Sequence, residues 1–115
     1  MKVILCILSA CMLVGCSTLP SADDHLAQLQ TKLRAVIVDD GISQEEADVI
    51  AENYYYRFTP LCGTVVPVTD GGTDWIAKTY YGYAAMPGNP IRIDKRTGRA
   101  AQSGSPTVEN PISIW

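Results

Sequence analysis

Ser43-Gln44-Glu45-Glu46-Ala47-Asp48-Val49-Ile50-Ala51-Glu52-Asn53-Tyr54-Tyr55-Tyr56-Arg57-Phe58-Thr59-Pro60 divides the chain into a helical half and a strand half. Its first four residues fit a capping box. The Ser43 hydroxyl can accept from the Glu46 amide while the Glu46 carboxylate accepts from the Ser43 amide. Ala47, Ile50, Ala51, Tyr54 and Phe58 then recur at helical spacing, so one face of this helix is apolar, and Pro60 closes it.

Working towards the N-terminus, Leu26, Leu29, Leu33, Val36 and Ile37 predict an earlier amphipathic helix from Asp23. Asp23 and Asp24 suit its positive end, and Asp39-Asp40-Gly41 stops it. Towards the C-terminus the residues turn to β character. Gly63 to Thr69 is rich in Val and Thr, Asp70-Gly71-Gly72-Thr73 is a turn, and Asp74 to Tyr83 returns as an aromatic strand. In that strand Trp75, Ala77, Thr79 and Tyr81 share one face, and Ile76, Lys78 and Tyr80 share the other. Met86-Pro87-Gly88-Asn89-Pro90 is a loop. Ile91-Arg92-Ile93-Asp94 alternates with the isoleucines inward, and Lys95-Arg96-Thr97-Gly98 turns into a short strand from Arg99 to Gln102. The expected class is α+β: two N-terminal helices packed on a small antiparallel meander of three to four strands.

The chain has 115 residues, enough for one domain, and its 47% apolar and 18% charged composition is that of a globular protein. A formal charge of −3 argues against a partner that is bound through its phosphates, so no nucleic-acid partner is expected. Catalytic chemistry is also not expected. His25 is the single histidine, near the start of a helix, and no third group orients a His25–Cys62 pair. Asp70, Asp74 and Asp94 sit where turns favour aspartate, and Gly71-Gly72 is too short to cradle a phosphate. No metal and no cofactor are implied.

The leader carries chemistry of another kind. Met1-Lys2 is followed by a run of twelve residues, Val3 to Val14, that is almost entirely apolar. That length suits a secretion signal and is too short for a bilayer, which needs about 20 residues. The run ends in Leu13-Val14-Gly15-Cys16, which resembles the lipobox of bacterial lipoproteins. Leu8-Ser9-Ala10-Cys11 is a second candidate, but it leaves a shorter apolar run, so Cys16 is preferred. Residues 1–15 then form the signal, 16–22 the lipidated cysteine with its tether, and 23–115 a single domain. The resemblance implies three acyl chains on Cys16; each buried methylene contributes about 0.8 kcal/mol, so two or three chains hold the protein on its membrane. Where the cell has two membranes, Ser17 rather than Asp after the cysteine is similar to the pattern sorted to the outer membrane, facing the periplasm. Processing also removes Cys6 and Cys11 and acylates Cys16. Cys62 remains as the one thiol, buried and inert or free to pair with another chain.

Charge and aromatic residues point to a protein partner. Between Ala35 and Tyr56 lie six acidic residues, Asp39, Asp40, Glu45, Glu46, Asp48 and Glu52, and no Lys or Arg. Arg92, Lys95, Arg96 and Arg99 are the reverse. A solvated helix face and hairpin account for this pattern; the functional alternative is an acidic surface that steers a basic partner. Tyr54, Tyr55, Tyr56, Trp75, Tyr80, Tyr81 and Tyr83 divide between core packing and interface anchoring. The contact candidates are Glu45, Asp48, Glu52, Tyr55 and Trp75.

From Ser43 to Trp115 the chain resembles small bacterial immunity proteins, which neutralise toxins delivered by neighbouring cells. The resemblance lies in the capped helix with Ala47 and Ile50-Ala51, in Asp74-Trp75-Ile76, and in Gly88-Asn89-Pro90-Ile91-Arg92-Ile93-Asp94-Lys95-Arg96-Thr97-Gly98. Gly104-Ser105-Pro106 and an aromatic C-terminus complete it. Families with a YrhB-like or a nuclear-transport-factor-2-like fold show a similar helix, tryptophan strand and hairpin. The resemblance implies a non-catalytic inhibitor of an envelope-acting toxin. The alternative is an assembly lipoprotein of an envelope complex, in which Ile112-Ser113-Ile114-Trp115 adds as a strand to a partner's sheet.

Overall fold

The computed structural model describes residues 22–59, 63–82 and 84–115. Cys16, the second candidate Cys11, Pro60, Cys62 and Tyr83 lie outside them. Among the described residues two α-helices and two small antiparallel sheets give an α+β class. Helix α1 spans Ala22–Arg34 and α2 spans Gln44–Phe58.

The capping box forms as its residues require: the Ser43 hydroxyl accepts from the Glu46 amide at 3.2 Å, and Glu46 Oε1 accepts from the Ser43 amide at 3.0 Å. Glu46 does more than cap. Its other oxygen accepts the Ile37 amide at 3.1 Å, which fastens the loop between the helices to the start of α2. Helix α1 ends earlier than its apolar spacing suggests. At Ala35 and Val36 the amides bond three residues back, to Lys32 and Leu33, and the chain leaves the helix before Asp39. Leu29, Leu33 and Val36 are buried and Leu26 is half-buried, but Ile37 faces out.

Seven strands follow: β1 Gly63–Val65, β2 Thr69–Asp70, β3 Asp74–Ala77, β4 Thr79–Tyr81, β5 Met86–Pro87, β6 Ile91–Asp94 and β7 Ala100–Gln102. They form two sheets, β1-β4-β5 and β2-β3-β6-β7, where a single meander was expected. The register explains the division. Thr69 pairs with Ile76 and Val65 with Thr79, so one strand advances four residues while the other advances three. On the other side Ala77 pairs with Ile91 and Tyr80 with Pro87, again three against four. Each flanking strand thus carries one extra residue opposite Lys78. Pro67 lies in the first of these stretches and Pro90 in the second, where a residue without an amide hydrogen costs no ladder bond. The Val66 amide still reaches the Lys78 carbonyl at 2.8 Å, so the meander runs on through the bend.

Helix α2 lies across both sheets, whereas α1 packs mainly on α2 and on the C-terminal 3-10 turn at Pro111–Ser113. The core joins Ala47, Ile50, Ala51 and Tyr54 of α2 to Ala77, Ile91, Ile93 and Ala100 of the sheet. Arg92 between the two isoleucines is exposed, as the alternation requires. Asn53 is fully buried within this apolar setting. Its amide nitrogen donates to the Leu29 carbonyl (3.0 Å) and to the Val49 carbonyl (2.8 Å), and its oxygen accepts from Trp115 Nε1 (2.9 Å). The chain end is therefore folded against α2. Asn53→Ala is expected to lower stability by about 1–3 kcal/mol in a urea titration, since it strands three buried or half-buried groups.

Candidate functional site

Among the described residues no group of three or more His, Cys, Asp or Glu side chains stands close enough to hold a metal ion. The aspartates of the strand region serve turns. Asp70 Oδ1 accepts the Gly72 amide at 2.8 Å and the Lys95 ammonium at 2.5 Å. Asp94 Oδ1 accepts the Arg96 and Thr97 amides at 2.8 and 2.9 Å, and Gly98, at φ +75°, closes that turn. A side chain at Gly98 would also press on Pro111 and Ile42, so the hairpin seats directly on the C-terminal turn.

The five contact candidates do not form one surface. Glu45 is exposed on the first turn of α2. Asp48 is half-buried and its Oδ1 accepts the Val68 amide at 2.6 Å, holding the bulged strand against the helix. Glu52 is half-buried one turn further on. Tyr55 is 4% exposed and belongs to the core, with its hydroxyl next to Gly63, where a Cβ has no room. Trp75 is half-buried at the other end of the helix. Its Nε1 donates to the Ile42 carbonyl at 2.9 Å, and the Lys95 ammonium lies 4.5 Å from its ring centroid. Asp48, Tyr55 and Trp75 therefore serve packing and registration, and Lys95 joins them: its carbonyl accepts the Ile42 amide at 2.7 Å.

A surface of different composition lies beyond the end of α1. Val36, Ile37, Val38, Asp39, Thr97, Glu109, Asn110 and Ile112 line a groove of about 490 Å³. Ile37 is 60% exposed and Ile112 42% exposed, unusual for large aliphatic side chains in one concavity. Asp39 and Glu109 supply negative charge at its rim, and Glu109 is held by Arg99 at 3.1 Å. Both isoleucines are set by the fold: the Ile37 amide is held by Glu46, and the Ile112 amide donates to Asn110 Oδ1 at 3.1 Å. The helical spacing predicts Ile37 on the apolar face of a helix, and the assembly alternative adds Ile112 to a partner's sheet as part of a strand. The available signal was a large aliphatic residue beside Asp39-Asp40-Gly41 in one case and after Pro111 in the other, positions where chains turn rather than pack. A groove that is apolar at its edges and acidic at its rim is suited to binding a polypeptide with apolar and basic side chains.

No protein-family model matches the chain, and no curated protein or solved structure matches it. The site therefore stands on its geometry.

Three carboxylates carry the pH dependence. The Ser43 amide holds Glu46 below its ordinary 4.5. The Lys95 ammonium does so for Asp70 and the Thr97 amide for Asp94, both below 3.8. A carboxylate with a depressed folded value stabilises the fold fully above its unfolded value and loses that contribution as pH falls through the folded one. Melting temperature is expected to be level from neutral pH to about 5 and to fall on acidification below about 4.5. In Glu46→Gln/Asp94→Asn the neutral-pH melting temperature should drop and the acid limb should flatten.

Proposed function

We propose that this chain is an envelope lipoprotein, anchored through Cys16, that acts as a non-catalytic immunity protein by binding and blocking an envelope-acting toxin. The observation that carries the binding role is the Ile37–Ile112 groove with Asp39 and Glu109 at its rim. The address rests on the apolar run ending in Leu13-Val14-Gly15-Cys16. Among the described residues no helix is long and apolar enough to cross a membrane. On this reading the tether joins the anchor to the start of α1, whereas the groove lies at the end of that helix. Thirteen helical residues separate them, about 20 Å at 1.5 Å per residue. A partner can thus be engaged on the side of the domain away from the acyl chains. Glu45 and Glu52 extend the acidic surface along α2 and would add steering more than affinity. The sorting pattern at Ser17 supports an outer-membrane location facing the periplasm.

Cys16→Ser should lose its acyl chains by mass spectrometry of the N-terminal peptide and leave the membrane fraction, while Cys11→Ser should change neither. An acylated, membrane-bound Cys16→Ser protein sinks the anchor. Deleting the gene in a host that carries an envelope-targeting toxin gene beside it should cause self-intoxication, and healthy growth under toxin expression counts against the immunity role. Ile37→Lys/Ile112→Lys should fail to restore protection although its unfolding free energy stays within about 0.5 kcal/mol of the parent, because both side chains already face water.

A further inference from the structure

The end of the molecule where α1 begins carries a second exposed cluster of different chemistry. Tyr56 (47% exposed) and Trp115 (44% exposed) flank the last turn of α2. The exposed His25 ring meets Tyr56 edge-on at 5.6 Å between centroids. The Arg57 guanidinium lies 5.9 Å from the Trp115 ring and 5.3 Å from Phe58. Tyrosine and tryptophan with arginine beside them are the residues that settle at a membrane's headgroup layer, where each ring has one apolar and one wet side.

The tether says what such a cluster meets. Residues 17–21 separate the proposed lipidated cysteine from Ala22, and the six steps from Cys16 to Ala22 span at most about 20 Å even when fully extended. His25 lies within one helical turn of Ala22, and α1 runs antiparallel to α2, since its Leu29 carbonyl meets Asn53 and its His25 meets Tyr56. The cluster is therefore confined close to whatever surface holds the acyl chains. Asp24, exposed in the same turn as His25, makes attraction to anionic lipid an inadequate source of affinity by itself. The amphipathic rings, operating at the high local concentration that tethering provides, are the better source.

The geometry points to a membrane-docking face: His25, Tyr56, Arg57 and Trp115 seat the domain on the phospholipid surface that holds the Cys16 acyl chains, and so turn the Ile37–Ile112 groove outward. This rests on the reading of Cys16 as the anchor and adds an orientation to it.

The test uses the full mature acylated protein in vesicles of phosphatidylethanolamine and phosphatidylglycerol with brominated acyl chains, its acylation verified by mass spectrometry. In Trp75→Phe the only indole left is Trp115, and its fluorescence should be quenched by roughly half or more relative to non-brominated vesicles. Adding Tyr56→Ser/Arg57→Glu should relieve most of that quenching with acylation unchanged. A second measurement needs no tryptophan substitution: in the parent protein, modification of Arg57 by phenylglyoxal should fall at least about threefold on going from detergent to vesicles, while Arg96 on the distant hairpin reacts equally in both. Acylated protein with unquenched Trp115 and unprotected Arg57 overturns the docking face alone. Protein without acyl chains overturns the anchor, and the docking face with it.

Discussion

The Asn53 side chain is the point at which three separate parts of the chain are made to agree. A fully buried amide is tolerable only when its donors and acceptor are satisfied, and here α1, α2 and the C-terminal tryptophan each satisfy one of them. Leu29 lies 24 residues before Asn53 and Trp115 lies 62 after it. Any other placement of α1 along α2, or of the chain end across both, leaves a polar atom stranded. The apolar contacts around it supply most of the stabilisation but tolerate sliding. The amide supplies register.

The consequence reaches both exposed surfaces. Because α1 is locked at Leu29, its first turn falls beside Tyr56 and its far end delivers Ile37 to the groove. Because the chain end is locked at Trp115, the turn at Pro111–Ser113 sits under Gly98, and Ile112 faces Ile37 across the groove. Glu46 completes this arrangement from the other side, one oxygen capping α2 and one holding the Ile37 amide. The two surfaces are products of the same few polar contacts.

Where local rules apply, residues could be read without the fold. The capping box at Ser43 and Glu46, the inward Ile91 and Ile93, and the turn set by Asp94 with Gly98 each depend on partners within a few positions along the chain. Ile37 and Tyr55 show the limit. Ile37 matches the helical spacing of Leu29 and Leu33, yet α1 unwinds at Ala35, before the spacing can place it. Tyr55 looks like one more surface aromatic in Tyr54-Tyr55-Tyr56, and its burial comes from core packing together with the approach of Gly63.

By itself the sequence determined the α+β class, the capped helix and the alternation of β6, because their causes are periodicities of two to four residues. The address proposed at Cys16 is likewise a local reading. The tertiary structure decided the division of the meander into two sheets, the burial of Asn53 and Tyr55, and the assembly of a groove from Ile37 and Ile112. Pro67 and Pro90 announce irregularity, but that both extra residues fall opposite Lys78 follows from pairing between strands, which no single strand encodes. Contacts separated by tens of residues leave no period in the chain; they exist only once packing has removed the alternatives.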